Sequence, residues 1–189
     1  MQLLLSTELP DLPTHKCLAL GIFSDEKPPR GIGGFIDWRL NGLISSQIKQ
    51  TRIKGEFLEK VVIPFPDRIG AESLLLFGFG ELSQITYDKI YTGGHNIAST
   101  ISGLLITNFA VDIPGANRSR LSVAGITEAM ITGFFDFLSA DVDKLAGTSS
   151  CLVTSSTLLN DVYLGIDHFK ANVNDMGSVD ISAIENGWE

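Results

Sequence analysis

Cysteines, basic residues and long apolar runs are all scarce in this sequence. Its two cysteines, Cys17 and Cys151, lie far apart in apolar stretches, which favours two buried free thiols over a disulfide framework. Basic residues number 14 against 22 acidic ones, and the resulting net charge of -8 disfavours binding to nucleic acid. No apolar run approaches the ~18 residues of a membrane span, and Met1 to Pro10 does not resemble a secretion signal. We therefore expect a cytoplasmic protein that binds neither nucleic acid nor a membrane.

The usual signs of catalytic chemistry are missing as well. The three histidines, His15, His95 and His168, do not stand at metal-ligand spacing, and no Gly-x-Ser-x-Gly elbow occurs. The acidic residues after Ser139 are scattered through polar sequence, which is typical of a solvated surface. The sequence therefore predicts no catalytic residues, no metal and no cofactor, and it gives no support for enzymatic activity.

Apolar runs alternate with amphipathic stretches along the first part of the chain. Strands are predicted at Leu3 to Leu5, Cys17 to Phe23, Val61 to Phe65, Ser73 to Phe79 and Thr107 to Ile113. Helices are predicted at Phe35 to Gln50, Tyr87 to Leu105 and Leu121 to Leu138. Near-continuous apolar strands between such helices indicate an α/β fold, with a largely parallel or mixed sheet covered on both faces.

The chain after Ser139 is less regular. Ser150 to Thr154 and Val162 to Ile166 are candidate strands, and the sequence becomes polar from Asp167 onward. We predict one domain over residues 1–140 and a C-terminal extension over residues 141–189 that holds these two strands and a polar tail.

Three stretches of the chain carry a family resemblance through their order and spacing. Asp37 to Pro64 combines a helix, a Lys-Gly turn and a strand that ends in proline. Ala71 to Thr100 runs from a strand through Gly-Phe-Gly into a helix with paired glycines, and Ala124 to Leu138 ends in a Gly-aromatic-x-Phe pattern. Together they resemble the N-terminal domain of the leucyl aminopeptidases, the M17 metallopeptidases, over about residues 1–140. The resemblance implies a macro-domain-like, three-layer α/β/α fold.

The same resemblance bears on function. In that family a larger C-terminal domain holds two divalent metals, partly through an Asn-Thr-Asp-x-Glu-Gly-Arg motif, which is absent from this sequence. The resemblance therefore implies a stand-alone homologue of the N-terminal domain that acts as a non-catalytic binding or assembly module. Because the N-terminal domains of the hexameric peptidases help assembly, it also implies a homo-oligomer or a protein partner.

Two glycine-containing loops form the candidate ligand site. Macro domains bind ADP-ribose, so the resemblance raises an alternative function, which is binding or hydrolysis of ADP-ribose or a related nucleotide. Both loops precede predicted helices, where backbone N–H groups can bind a small anionic ligand. The candidate ligand-binding residues are Gly31, Gly33 and Gly34 in the first loop, Gly115, Asn117, Arg118 and Ser119 in the second, and Asp25. Such loops are more often plain turns and caps, and the ordinary interpretation of Asp25 is a turn residue beside Pro28.

Overall fold

The computed structural model describes residues 1–12, 15–173 and 180–184. Within these ranges the strands are β1 (Gln2–Ser6), β2 (Cys17–Ile22), β3 (Lys60–Pro64), β4 (Ser73–Gly78), β5 (Asn108–Asp112), β6 (Ser149–Val153) and β7 (Asp180–Ile184). They form one sheet in the order β3-β4-β2-β5-β6-β1-β7. β3 runs antiparallel to β4, and the other neighbouring pairs are parallel. The predicted α/β class with a mixed sheet is confirmed.

Helices cover both faces of this sheet. In the described part of the chain they are α1 (Gly31–Arg39), α2 (Leu43–Lys49), α3 (Tyr87–Gly103), α4 (Val123–Ser139), α5 (Val142–Gly147) and α6 (Leu159–Val173). Side chains of α1 and α2 share one apolar cluster with β2 and β4, and side chains of α3, α4 and α6 share another on the opposite face. The three-layer α/β/α arrangement implied by the family resemblance is therefore confirmed.

The central strands are apolar on both sides because both of their faces are covered. All six residues of β2 are buried, and its side chains alternate between the two clusters. Leu18 and Leu20 face α1 and α2, whereas Cys17 and Ala19 face the other helical layer. Burial on both faces explains the unbroken apolar runs that identified these strands in the sequence.

Helices α3 and α4 pack backbone against backbone. A Cβ atom placed on Gly94 of α3 would lie 2.5 Å from the carbonyl oxygen of Met130 in α4. Only glycine allows this approach, so the glycine pair noted in the sequence is a packing feature of the fold. The amino end of α4 is fixed by Ser122, whose Oγ accepts a hydrogen bond of 3.1 Å from the Gly125 backbone N–H.

Two predicted elements were wrong in kind or extent. The candidate strand Val162 to Ile166 is part of helix α6, and its buried residues Val162, Ile166 and Phe169 recur at helical spacing. A short apolar run does not by itself distinguish a strand from a helix. The single helix predicted from Phe35 to Gln50 is divided into α1 and α2, because Asn41 and Gly42 both take positive φ angles.

The segment after residue 140 is part of the same sheet. β6 confirms the candidate strand at Ser150 to Thr154 and lies between β5 and β1, so the predicted extension supplies an internal strand. Of the predicted polar tail, residues 167–173 continue α6, and β7 pairs with β1. Residues 174–179 and 185–189 lie outside the described residues. Among the helices that the structure describes, none has the length and apolar character needed to cross a membrane.

Candidate functional site

A cavity of about 310 Å³ opens at the carboxyl ends of β5 and β6. Its wall combines the first residues of α1, the loop that follows β5 and the segment that follows β6. The chain leaves β2 into α1 on one face of the sheet and enters β5 from α3 on the other face. Open α/β sheets bind ligands at the carboxyl ends of strands where the connections diverge in this way, so the cavity is the candidate site.

Asp112, the last residue of β5, provides a buried carboxyl group in the cavity wall. It is 3% exposed, and its Oδ1 accepts a hydrogen bond of 2.9 Å from the backbone N–H of Gly21. Burial raises the pKa of Asp112 to about 6, although the Gly21 N–H and the positive charge of Arg118 both lower it. The group therefore changes charge close to neutral pH, unlike an ordinary surface carboxyl.

Thr154 provides a buried hydroxyl group in the same cavity. It directly follows Val153, the residue paired with Asp112 in the β5–β6 ladder, and its backbone N–H donates to the carbonyl oxygen of Ser6. The side chain is 2% exposed, and its Oγ1 has no hydrogen-bond partner among the described residues. An unpaired buried hydroxyl costs about 1–3 kcal/mol. Thr154 therefore leaves an unsatisfied polar atom at the cavity wall.

An ion pair between Arg118 and Glu26 joins the loop after β2 to the loop after β5. Both side chains are largely buried, at 20% and 10% exposure. The Arg118 guanidinium lies over the Phe23 ring, 5.4 Å from its centroid, which adds a cation–π contact. Gly31 has a φ of +61°, and a Cβ atom there would lie 3.4 Å from Arg118 Nε. Gly31 thus lies beside the guanidinium at the cavity wall, and its left-handed backbone favours glycine at this position.

Of the residues predicted for the ligand site, Gly31 and Arg118 line this cavity. Gly33 and Gly34 were placed in a loop, which was wrong, because α1 begins at Gly31 and contains both. A Cβ atom added to Gly33 would contact the Pro29 side chain, and one added to Gly34 would meet the Pro29 carbonyl oxygen. The predicted glycine loop is therefore the first turn of a helix, and only its first glycine faces the cavity.

The remaining predicted residues lie elsewhere. Gly115 lies close to the side chains of Leu82 and Phe23, with a φ of +74°. Asn117 and Ser119 line a separate surface groove of about 940 Å³. The carboxylate of Asp25 accepts hydrogen bonds from the backbone N–H groups of Leu82, at 2.8 Å, and Ser83, at 3.4 Å. Asp25 therefore holds a turn in this structure.

Sequence reasoning missed Asp112, Thr154 and Glu26. One signal was present for the first two, because each is a polar residue at or directly after the end of an apolar strand. That position is the edge of the sheet at which a ligand site was expected. No local signal identified Glu26, since its partner Arg118 is 92 positions away in the chain.

Metal and thiol chemistry find no support in the described residues. In ranges 1–12, 15–173 and 180–184, no group of three or more His, Cys, Asp or Glu side chains could hold a metal ion. Cys17 and Cys151 are both buried and free, as expected from the sequence. Burial raises the pKa of both thiols, that of Cys151 to about 12, so neither thiol is activated as a nucleophile.

Comparison with known proteins gives two kinds of similarity. The sequence model of the cytosol aminopeptidase family, N-terminal domain, matches residues 19–138. A probable cytosol aminopeptidase from Geobacter sulfurreducens is 26% identical over 138 residues, which cover 71% of this chain and 28% of that protein. The chain spans about a quarter of the length of the curated relatives that it matches.

Solved structures show the same fold at low sequence identity. The macrodomain of Oceanobacillus iheyensis with ADP has a TM-score of 0.70 and 7% identity, covering 87% of this chain and 90% of that chain. A mutant of tomato leucine aminopeptidase has a TM-score of 0.54 and 18% identity, covering 85% of this chain and 34% of that chain. At these identities the similarity shows the macrodomain-like fold alone.

Proposed function

Since the chain belongs to the cytosol aminopeptidase family, whose N-terminal domain it matches, we propose that it is a non-catalytic module. In this proposal it binds a small molecule in the cavity beside Asp112. The observation that carries this proposal is the pairing of a buried carboxyl with an unpartnered buried hydroxyl, that of Thr154, in one cavity. Buried polar groups are normally hydrogen-bonded, and a bound molecule would satisfy this hydroxyl. The family model that matches is that of the N-terminal domain, whereas the family's metals lie in its C-terminal domain, which supports a non-catalytic role for these residues.

The size and lining of the cavity agree with this role. Its volume of about 310 Å³ lies at the lower end of the range for small-molecule sites. Apolar side chains from Ile113, Val153 and Leu158 surround the polar groups. A mostly apolar wall with a few placed polar groups is typical of a site for a small organic molecule.

Thermal unfolding in the presence of candidate ligands tests the proposal. The compounds are D-ribose, adenosine, AMP and ADP-ribose, each at millimolar concentration. A ligand at 100 times its Kd stabilises a protein by about 2.7 kcal/mol, so binding is detectable as a shift of the midpoint. We expect at least one compound to raise the midpoint by several degrees, and Thr154→Val to reduce that rise. If no compound moves the midpoint of the wild-type protein, the cavity does not bind this class of molecule.

Binding of an ADP-containing nucleotide is a second candidate, which corresponds to the alternative function expected from the sequence. Its support is the structural similarity to a macrodomain solved with ADP. A midpoint rise with ADP-ribose but not with adenosine would favour this candidate.

Assembly with a second copy or with a protein partner is the remaining part of the proposal. Its support is the exposure of two large side chains, Trp38 at 68% and Phe65 at 81%. Light scattering at tens of micromolar protein measures the mass, and a strictly monomeric mass would contradict self-association. We also place the protein in the cytoplasm, on the strength of relatives described as cytosol aminopeptidases.

A further inference from the structure

The cation in the wall of the cavity already has an internal partner. We infer that the cavity selects uncharged molecules that carry hydroxyl or amino groups and excludes phosphates, because Glu26 holds the guanidinium of Arg118. This inference rests on the proposed function, since it specifies the class of ligand for the same cavity. It concerns the charge that a ligand meets at the cavity wall.

The charges around the cavity sum to a negative value. Arg118 is the sole basic side chain in its wall, as far as the chain is described, and the carboxylate of Glu26 neutralises it. Asp112 adds a further carboxyl to the wall. The start of α1 contributes roughly half a positive charge, which is less than one carboxylate. A phosphate entering the cavity therefore meets net repulsion.

A phosphate would also have to compete for Arg118. The Glu26 side chain is 10% exposed, so separating the pair would leave a carboxylate buried without its partner. Removing one partner of a buried ion pair is strongly unfavourable. The Phe23 ring further holds the guanidinium in this position. Glu26 thus already binds Nη1 of Arg118 and neutralises the charge that would attract a ligand phosphate.

The groups that remain free suit an uncharged ligand. A carboxyl offers about four acceptor positions, and the N–H group of Gly21 uses one of them. The Thr154 hydroxyl can both donate and accept. A hydroxyl or amino group of a ligand can therefore donate to Asp112, while a neighbouring oxygen accepts from Thr154. A sugar or nucleoside provides such adjacent groups without a charge.

Adenosine and AMP differ by one phosphate and so form a matched pair of probes. Calorimetric titration measures the Kd of each for the wild-type protein, for Glu26→Gln and for Glu72→Gln. We expect wild-type protein to bind adenosine at least tenfold more tightly than AMP. Glu26→Gln should improve AMP binding at least tenfold relative to adenosine binding.

Glu72→Gln is the matched control for the loss of one carboxylate. Glu72 also forms an ion pair, with Lys16, but it precedes β4 at the opposite end of the sheet and is half-exposed. This variant should keep the wild-type preference for adenosine, which separates a local effect of Glu26 from a change in net charge.

The outcomes distinguish this inference from the proposed function. If AMP binds wild-type protein as tightly as adenosine, or if Glu26→Gln leaves AMP binding unchanged, the inference is wrong while small-molecule binding stands. If neither compound nor D-ribose binds any variant, both fail. Circular dichroism checks that Glu26→Gln is folded, and the wild-type comparison tests the exclusion of phosphate without that variant.

Discussion

Replacing Asp112 by asparagine should make the protein more stable at neutral pH but not at acidic pH. The folded protein holds the pKa of this carboxyl at about 6, against 3.8 for an unperturbed group. Because folding raises this pKa, protonation of Asp112 stabilises the folded protein. This contribution is complete below about pH 3.8 and is lost as the pH rises through about 6. The difference between these two pKa values corresponds to roughly 3 kcal/mol in the free energy of unfolding at pH 8. Asparagine keeps the acceptor for the Gly21 N–H without carrying a charge.

Urea denaturation followed by circular dichroism measures this effect at several pH values from 4 to 8. The quantity of interest is the free energy of unfolding of Asp112→Asn minus that of the wild-type protein. We expect this difference to rise by roughly 3 kcal/mol across the range, with most of the change between about pH 4 and 7. Taking the difference removes the titration of the other carboxyl groups, which both proteins share.

Asp167→Asn is the matched control for exchanging one aspartate for asparagine, because Asp167 is exposed on α6. A difference for Asp112→Asn that stays constant within about 0.5 kcal/mol from pH 4 to 8 would refute the reasoning. It would mean that burial does not disfavour the charged form of this carboxyl.

Two further predictions concern the packing and capping of the helices. Gly94→Ala should destabilise the protein by about 1–3 kcal/mol in urea denaturation, because the added methyl group would meet the Met130 carbonyl oxygen. Gly103→Ala, in the same helix but with nothing within 4 Å of the new methyl group, should be neutral or stabilising, and equal effects would contradict this account. Ser122→Ala should cost about 1 kcal/mol by the same measurement, because the Gly125 N–H loses its cap. No loss of stability on that change would mean that solvent replaces the cap without penalty.

The fold could largely be predicted from the sequence because its signals are local. The six apolar residues of β2 and the apolar stripe of α4 both reflect burial that their own sequence encodes. Helix α6 was mistaken in part for a strand because Val162 to Ile166 is too short to show a period. The first turn of α1 was mistaken for a loop because three of its first four residues are glycines.

The candidate site was harder to predict because it depends on the order of the strands. The hydrogen bond from Gly21 to Asp112 joins residues 91 positions apart, and no spacing rule connects them. Thr154 directly follows a strand that the sequence had assigned to an extension, although β6 lies directly beside β5. The two loops could be placed at the correct edge of the sheet. Which side chains point into the cavity required the structure.

The position of β1 has a consequence for how the protein reaches its fold. The strand is synthesised before β6 and β7, yet it pairs with both, so that Gln2 lies opposite both Ser149 and Asp180. During translation β1 therefore has no partner in the sheet until β6 has left the ribosome, and closing so long a loop is slow. In that interval the unpaired edges of β1 and β5 are exposed to pairing with other chains. Assembly of this side of the sheet thus joins segments that lie far apart in the chain, and aggregation during synthesis competes with that step.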